Sequence, residues 1–433
     1  MDDKNHGNEE VVEFWSKCIM DAYKSGASDI HFERSGTAAT SPDEPIASVR
    51  LRINGALESS VKELPLRLYG SAIAYLKDIA GLSSGDHKKP SYAIVSAKEF
   101  SPLSIRLGCC FIPNMNNGLD IVIRLFTDLG PLPLDRLGLR PFELQTLRGI
   151  SYGIVLFSGS TGSGKHTLLS SVLHVMKENK AKVWALKEDT PISLFSHVNE
   201  LDVSPGSGNS YEDWMNMLIN CMDSDAIYIG SLKGPEKFPL AVDVALGGVA
   251  VLADTHANSA YDAITRYMHF GQKVYSRLLV DALAMVICQH LQKRLCLQCK
   301  TPVRLEQDEI KRLLLTYHNH PENTEHKPDA SMEKATYERW LKEYGDEAGA
   351  LFQHKAKGCN ECNGSGYKGR VAIVEVVVVS PKIRALLLSQ SSEEAILKIA
   401  LQEGSSTMRQ DAIEKALGGV ISFDQIDGIS FHG

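Results

Sequence analysis

The chain has 433 residues, of which 43% are hydrophobic and 23% charged, and its formal net charge is −7. A chain of this length is expected to form two or three domains, each large enough to bury a core. The slightly acidic balance excludes the strongly basic composition of a dedicated nucleic-acid-binding protein, so nucleic acid is not an expected partner.

The amino-terminal residues are polar and acidic, without the apolar segment of a secretory signal peptide. The longest aliphatic run, residues 371–379, is β-branched and too short to cross a bilayer as a helix. Nine cysteines are present, and in the absence of a signal peptide clustered cysteines indicate a metal site rather than disulfides. The sequence therefore predicts a cytoplasmic protein whose contact with a membrane is peripheral.

The first part of the chain alternates between helical and strand patterns of hydrophobicity. Residues 1–10 are polar and are expected to be disordered. An alternating strand then ends at Asn54-Gly55, which is typical of a hairpin turn, and helical patterns precede and follow it. The simplest interpretation is a compact α+β domain over residues 11–129, closed by a proline-rich linker at 130–142.

A glycine-rich loop follows the apolar run 154–157 and leads into a segment with helical spacing. This order of strand, glycine turn and helix is typical of a phosphate-binding loop, in which backbone N–H groups and the positive end of the helix face a phosphate. A glycine turn without a ligand is the alternative. The predicted nucleotide-binding residues are Gly159, Ser160, Thr161, Gly162, Ser163, Gly164, Lys165, His166 and Thr167.

One position departs from the pattern G-x-x-x-x-G-K-[ST]. His166 stands where the pattern has a hydroxyl ligand for Mg²⁺, and Thr167 is turned about 100° further around the helix. Mg²⁺ prefers oxygen ligands in a near-ideal octahedron, so an imidazole is a poor substitute. The sequence therefore predicts ATP binding with a weakened Mg²⁺ site.

Further apolar runs after the loop alternate with helical patterns, which predicts a mostly parallel sheet. Polar residues follow three of these predicted strands, at 188–189, 230–231 and 254–256. In an open α/β sheet, ligands bind outside the carboxyl ends of the strands. These residues are therefore expected to face the phosphates bound at the loop.

Two C-x-x-C pairs form a second candidate site. Cys296 with Cys299, and Cys359 with Cys362, supply four thiolates, which is the donor set of a tetrahedral structural zinc site. The residues between the pairs are rich in charge and helix formers, which indicates an inserted helical segment. The sequence predicts Zn²⁺ at these cysteines, in an element over 291–370, without catalysis because no coordination position stays open.

In combination, several segments resemble those of the type II secretion and type IV pilus ATPases, the traffic ATPases. The resemblance extends from about residue 11 to residue 429, and the segments that carry it are 26–31, 49–55, the phosphate-binding loop, 188–189, 253–258, Gln289 with Leu291, and 364–370. It implies a hexameric ring, with ATP bound between a small N-terminal domain and the P-loop domain. It also implies a mechanical output on an inner-membrane platform protein.

The resemblance completes the expected fold. The protein is predicted to be α/β, with the N-terminal α+β domain followed by a RecA-like P-loop domain over residues 143–290. The zinc-binding insertion comes next, and a helical C-terminal region occupies residues 371–433.

The sequence also departs from the family pattern. The family's Gly-Glu-Ile-Arg-Asp segment reads Gly-Ser-Leu-Lys-Gly at residues 230–234, which places Ser231 at the position of the catalytic glutamate. Serine cannot act as a general base for water at neutral pH. The helical segment before that strand, residues 214–220, has none of the family's arginines. Hydrolysis of ATP is therefore expected to be weak or absent.

Four other residues are candidates for catalysis through the resemblance. Glu188 lies in the family's acidic segment, where it would hold Mg²⁺ or polarise a water; the alternative is a solvated loop carboxylate. His256 matches the family's histidine segment near the γ-phosphate, or else it caps a strand end. Arg106 and Arg124 match arginines of the N-terminal domain that neutralise the charge of a nucleotide.

Two hypotheses about function follow. The first is an ATP-binding motor subunit of a type II secretion or type IV pilus machine, cytoplasmic and peripherally associated with the inner membrane, working as a homo-hexamer. The second is a non-enzymatic scaffold or regulator in a mixed hexamer with a catalytically complete paralogue, which the loss of several charged groups at one site favours. Nucleic-acid contact through the zinc element is a third alternative, which the acidic composition disfavours.

Overall fold

The computed structural model describes residues 2–34, 46–58, 62–83, 88–100, 105–114, 118–126, 130–187, 197–203, 208–233, 236–271, 274–318 and 330–426. The chain divides into two compact units, residues 1–129 and 130–433.

The first unit is built on a seven-stranded sheet in which every pair of neighbouring strands is antiparallel. Its strands follow the order β3-β2-β1-β7-β6-β5, and β4 also pairs with β2. The elements are α1 (Asp2–Lys24), β1 (Ala27–Arg34), β2 (Ile46–Ile53), β3 (Ala56–Leu57), β4 (Lys62–Pro65), α2 (Leu66–Ile79), β5 (Ser91–Ser96), a 3₁₀ turn (Ala97–Glu99), β6 (Arg106–Pro113) and β7 (Leu119–Phe126).

The core of the first unit lies between this sheet and the two helices. Successive side chains of a strand point to opposite faces, and the buried residues of β7 alternate accordingly. Trp15 of α1 is fully buried, and its Nε1 donates a hydrogen bond to the carbonyl oxygen of Ala72 in α2 at 3.1 Å. The ring of Trp15 also packs edge-on against Phe32 of β1, with centroids 5.1 Å apart. The predicted helices, strands and hairpin of this region are confirmed.

The predicted disordered start is wrong for residues 2–10, which form the first part of α1. Further along, Glu10 lies 3.8 Å from Arg67 of α2, and Val11 is fully buried. A polar sequence therefore continues the helix because its neighbouring turns are anchored.

The second unit contains the glycine-rich loop and both cysteine pairs. Its elements up to the first cysteine pair are a 3₁₀ turn (Leu134–Arg136), α3 (Pro141–Arg148), β8 (Gly153–Ser158), α4 (Lys165–Glu178), β9 (Val183–Lys187), β10 (Asn199–Asp202), α5 (Tyr211–Asn220), β11 (Ala226–Ser231), α6 (Lys237–Leu246), β12 (Ala250–Asp254), α7 (Ala260–Phe270), α8 (Ser276–Ala282) and β13 (Leu283–Leu295).

The remaining elements form the insertion and the C-terminal region. They are β14 (Thr301–Arg304), α9 (Gln307–His318), α10 (Ala330–Tyr344), β15 (Phe352–Lys355), a 3₁₀ turn (Asn360–Cys362), β16 (Tyr367–Val378), α11 (Pro381–Leu388), α12 (Glu393–Gln402), α13 (Met408–Leu417) and a 3₁₀ turn (Phe423–Gln425). The helices α9 and α10 lie between the two cysteine pairs in the chain, as the composition predicts.

The large sheet of the second unit has the order β10-β9-β11-β12-β8-β13-β16. All neighbouring strands are parallel except β16, which runs antiparallel to β13 at the edge. Hydrophobic clusters cover both faces, because Ile154 and Leu156 of β8 belong to one cluster and Val155 and Phe157 to the other. The mixed α/β fold is thus confirmed, and β8 ends in the middle of the sheet.

Two predicted domain limits and the predicted linker fall inside structured parts of the second unit. Positions 290 and 370 lie within β13 and β16, which pair along most of their length and join the sheet to the cysteine element. In the predicted linker, Leu134 is almost fully buried in the core of the second unit. Long strands that cross from one module to the next leave no break in the chain at these limits.

None of the helices in the described part of the chain combines the length and apolar character that a membrane-spanning helix needs.

Candidate functional site

The glycine-rich loop runs between β8 and α4 and depends on glycine at two positions of close approach. Gly159 has φ +140° and Gly164 has φ +86°, both in the region that favours glycine. A Cβ atom at Gly159 would lie 2.3 Å from the carbonyl oxygen of Gln289, and one at Gly164 would lie 2.6 Å from Gln289 Nε2. The loop therefore packs directly onto β13, the neighbour of β8.

Gln289 fixes the middle of the loop. This side chain is buried in β13, and its Nε2 donates a hydrogen bond to the carbonyl oxygen of Ser163 at 2.8 Å. In the sequence, Gln289 is only one of the residues that carry the resemblance to the traffic ATPases. It is not among the predicted site residues. A glutamine that follows an apolar strand pattern is the signal that was available. Its contact with the loop could not be predicted, since 126 residues separate the two partners.

Lys165 begins α4 and folds back over the loop. Its Nζ donates hydrogen bonds to the carbonyl oxygens of Gly159 and, at 3.2 Å, Ser160. Burial lowers the pKa of Lys165, and Lys233 lowers it further, while the Asp254 carboxylate opposes both effects. The ammonium group is thus held against carbonyl oxygens that a phosphate can replace.

The loop fits a bound phosphate. Ser163 Oγ is buried and has no hydrogen-bond partner among the described residues, as expected of a group that awaits one. The N-terminus of α4, capped by Gly164 without any side-chain acceptor, leaves backbone N–H groups that a phosphate oxygen can accept from. The predicted nucleotide-binding residues, 159–167, all lie in this loop and in the first turn of α4.

The strands beside β8 bring a serine and an aspartate to the same edge of the sheet. In the parallel pair of β11 and β12, Ser231 lies opposite Asp254, and Asp254 in turn lies opposite Phe157 of β8. Asp254 is buried, and the hydroxyl of Tyr228 donates a hydrogen bond to its Oδ2 at 2.6 Å. The carboxylate of Asp254 therefore lies between Ser231 and the loop. The sequence predicts residues 254–256 at this edge but does not single out Asp254.

Three histidines also lie at this edge. His166 and His256 are exposed and His290 is half-buried. Partial burial is the main cause that lowers the pKa of each one, and the charge of Lys165 lowers all three further. Asp254 acts in the opposite direction on His166 and His256. In the absence of an anion, the pKa of each imidazole is therefore lower than that of a free histidine, which favours the neutral form.

The residues at this edge do not fit Mg²⁺, which the family implies as a companion of ATP. The position of the hydroxyl ligand holds an imidazole, and the position of the glutamate holds Ser231, whose Oγ is buried without a hydrogen-bond partner in the described chain. Hard octahedral Mg²⁺ needs several oxygen ligands, with carboxylates preferred. Asp254 is the one carboxylate among the described residues of this edge, and Tyr228 already occupies one of its oxygens. Glu188, the other predicted ligand, lies outside the described residues.

Arg106 and Arg124, the predicted nucleotide-facing arginines, belong to the first unit. Arg106 lies at the start of β6 and is half-buried. The Nε of Arg124 in β7 donates to Oδ1 of Asp29 at 2.9 Å, and Asp29 is buried in β1. Arg124 is thus paired within its own unit, and its role toward a nucleotide stays a prediction.

The two cysteine pairs come together as a candidate metal centre. The Sγ atoms of Cys296, Cys299, Cys359 and Cys362 all lie within 4.8 Å of one another. Individual Sγ···Sγ distances are 3.9 Å for Cys296–Cys359, 3.8 Å for Cys299–Cys362 and 3.7 Å for Cys359–Cys362. A tetrahedron with Zn–S bonds of about 2.3 Å has edges of about 3.8 Å, so these four thiols fit zinc.

Backbone groups around the cysteines are arranged for thiolates. The N–H groups of Cys359 and Gly366 donate to Cys362 Sγ at 3.2 and 3.1 Å. Burial opposes ionisation of Cys362, but these hydrogen bonds lower its pKa to about 6. In the described part of the chain, these cysteines are also the only group of three or more potential ligands that converge.

The chain matches the family described as Type II/IV secretion system protein over residues 4–428. It is 27% identical to the type IV pilus assembly ATPase PilB of Pseudomonas aeruginosa over 97% of this chain and 67% of that protein. It is 26% identical to the putative type II secretion system protein E of Escherichia coli over 96% of this chain and 76% of that protein. The chain is also 28% identical to the type IV pilus assembly ATPase PilB of Thermus thermophilus, and the match covers 95% of this chain and 42% of that protein.

Two solved structures share the fold. The ATPase DotB of Legionella pneumophila superposes with a TM-score of 0.62 at 17% identity, covering 96% of this chain and 95% of DotB. The pilus retraction motor PilT, solved with bound ADP, gives a TM-score of 0.58 at 17% identity over 96% of each chain. The resemblance predicted from the motifs is confirmed, and the chain belongs to the family of type II and type IV secretion system proteins.

Proposed function

We propose that the chain is an ATP-binding, motor-type subunit of a type II secretion or type IV pilus machine, with weak or absent hydrolysis of its own. The observation that carries this proposal is a glycine-rich loop that keeps Gly164 and Lys165 beside Ser231, which stands at the position of the family's catalytic glutamate. Lys165 and the loop N–H groups supply the binding. The group that activates water is missing at its usual place.

Family membership supports the proposed assembly. A RecA-like P-loop domain, with a zinc-binding insertion and a helical C-terminal region, works in this family as one subunit of a hexameric ring. We place the protein in the cytoplasm, peripherally associated with the inner membrane through a platform protein. Arg106, Arg124, His256 and Glu188 are proposed to approach the nucleotide once the ring has formed.

The test is ATP binding and turnover by the purified, zinc-replete protein, with Lys165→Ala as the variant. We expect the parent protein to bind ATP and Lys165→Ala to weaken this binding by at least about tenfold. We expect the turnover number to lie well below the value of about 1–10³ s⁻¹ that is typical of enzymes. Lys398→Ala, an exposed lysine of α12, is the matched control and is expected to bind as the parent does. Absence of ATP binding by the parent protein would rule out the proposal.

Fast turnover that Lys165→Ala abolishes would contradict weak hydrolysis. It would mean that another carboxylate has taken over, with Glu188 and Asp254 as the candidates. Single substitutions of these two residues to the amide would then identify which of them activates the water.

A second candidate function is a non-enzymatic regulator that shares a mixed hexamer with a catalytically complete paralogue. The observation that favours it is the concentration of departures at one edge of the sheet, at His166, Ser231 and Lys233, while the loop itself is kept. Purification of the tagged protein from its own cells tests it. Recovery of a second family member in the same ring supports this function, and a ring of one subunit that sustains secretion or pilus function alone contradicts it.

A further inference from the structure

The edge of the sheet beside the loop holds basic side chains where a magnesium site would need oxygen ligands. We propose that this site binds its nucleotide without Mg²⁺, with the protein's own positive charges in place of the cation. This inference rests on the proposed function, since it concerns the same nucleotide. It specifies the ligand as the metal-free nucleotide.

The first argument is the set of donors. His166 directly follows Lys165 on α4, at the position from which a hydroxyl would reach the metal. An imidazole nitrogen suits Zn²⁺ or Cu²⁺ far better than Mg²⁺, which selects oxygen. Thr167, the next hydroxyl, is turned about 100° around the helix and therefore points elsewhere.

The second argument is the state of the oxygen atoms that remain. Ser231 offers a neutral hydroxyl where a carboxylate would carry charge. Asp254 is the one carboxylate at the described strand ends of this edge, and Tyr228 donates to it at 2.6 Å. The same carboxylate lies close enough to Lys165 to raise the pKa of that lysine, so a positive charge of the protein already acts on it.

The third argument is the balance of charge. Lys233, just past the end of β11, is close enough to affect the pKa of both Lys165 and His256. Among the described residues at this edge, two lysine charges face a single carboxylate, and three histidines can each add a further charge when an anion raises their pKa. A divalent cation placed here would be repelled by both lysines, whereas a bare triphosphate would be attracted.

The test is equilibrium binding of ATP and ADP to the full-length protein in excess MgCl₂ and, separately, in excess EDTA. We expect the dissociation constants in the two conditions to agree within about threefold. This corresponds to a difference in binding free energy of less than about 1 kcal/mol. Binding that EDTA weakens by about tenfold or more would overturn the inference while leaving the proposed function in place. Absence of binding in both conditions would remove the proposed function itself.

A gain-of-dependence variant makes the test specific to these positions. The double substitution His166→Thr with Ser231→Glu supplies the hydroxyl ligand at position 166 and a carboxylate at position 231. We expect it to bind ATP at least about tenfold more tightly with Mg²⁺ than with EDTA, because the new carboxylate repels a bare triphosphate. His174→Thr, on the same helix, is the matched control and is expected to remain indifferent to Mg²⁺.

A melting curve for each variant shows whether it is folded before binding is compared. A folded double variant that stays indifferent to Mg²⁺ would mean that these two positions do not decide the metal requirement. That result would also overturn the inference.

Discussion

The two candidate ligand sites of the second unit differ in what their side chains do for the fold. At the cysteine element, Cys296, Cys299, Cys359 and Cys362 are both the ligands and the small cluster that holds the element together. At the nucleotide site, the loop is held by β13 through Gln289 and by the packed strands on either side. Its metal ligands would add nothing to that packing.

This difference explains why one donor set is complete and the other is not. Replacing a cysteine would remove a fold-forming contact together with the metal. Replacing the hydroxyl at position 166 or the carboxylate at position 231 leaves the backbone cradle intact, because glycine conformation and Gln289 position it. Ligands that only hold a substrate can be exchanged one at a time, while those that also hold the fold cannot.

The largest expected effect is the loss of zinc. Cys359→Ser or a strong chelator should release one Zn²⁺ per chain and unfold the element locally, since structural zinc sites contribute about 10–16 kcal/mol of apparent binding free energy. Metal analysis and hydrogen exchange over residues 296–366 measure this. Cys221→Ser, at an exposed thiol, is the control and should keep its zinc. A Cys359→Ser protein that retained full exchange protection would break the comparison.

The next effect concerns the ion network that connects the insertion with the helix before the loop. Glu414 of α13 accepts hydrogen bonds from Arg339 of α10 at 2.7 Å and from the hydroxyl of Tyr317 in α9 at 2.6 Å, and it lies 3.8 Å from Arg140 beside α3. We expect Glu414→Ala to lower the free energy of unfolding by about 2–3 kcal/mol, because it removes the acceptor of two hydrogen bonds, while Arg339 keeps Glu343 and Arg140 keeps Glu143 as partners.

Denaturant titration measures this change. Glu347→Ala, at an exposed carboxylate, should stay within about 0.5 kcal/mol of the parent. If Glu414→Ala also released zinc, the cysteine element would depend on this docking as well as on its metal, and the contrast between the two sites would weaken.

A smaller effect is expected at Gln289. Gln289→Ala leaves the carbonyl oxygen of Ser163 without its buried donor, at a cost of about 1–3 kcal/mol. Because the loop is then less well positioned, ATP affinity should fall by about tenfold, with zinc content unchanged. Calorimetry of ATP binding checks this, with Gln292→Ala on the same strand as the control. Unchanged affinity would mean that the loop is positioned without β13.

The smallest effect is the dependence of ATP binding on pH. In the free protein the pKa values of His166, His256 and His290 are lowered, so these groups bind protons weakly. A bound triphosphate raises those pKa values, so binding takes up protons and affinity rises as pH falls. Between pH 8 and pH 6 we expect a gain of about tenfold or less. His166→Asn should reduce this gain, and affinity that fell toward pH 6 would contradict it.

The sequence predicted the parts of these sites that depend on short spacing. The glycine loop, the strand ends and the C-x-x-C pairs are local patterns. In the structure the loop follows β8, the strand ends at 231 and 254 lie side by side, and the cysteine pairs converge, while residues 188–189 lie outside the described residues. The interactions that fix them are not local. Gln289 reaches Ser163 across 126 residues, and Glu414 reaches Arg339 across 75.

Other parts of the fold escaped prediction for identifiable reasons. The strand β13 follows α8 without a turn signal, so no strand was predicted over 283–295. The polar composition of the first ten residues predicts disorder. The helix α1 nevertheless begins there, because the burial of Val11 and the ion pair of Glu10 with Arg67 anchor its next turn. Asp254 was marked only as a member of a strand-end group, because its hydrogen bond from Tyr228 depends on the register of β11 and β12.

The ion network also has a consequence for biosynthesis. Glu143 of α3 is fully buried and shares Arg140 with Asp411, which is roughly 270 residues later in the chain. At about 5–20 residues per second, a ribosome needs roughly 15–55 seconds to reach Asp411 after it has made Arg140. During that interval the guanidinium group of Arg140 lacks the carboxylate of Asp411, and β13 lacks its neighbouring edge strand β16. The second unit is therefore expected to complete its fold only after Asp411 has been synthesised.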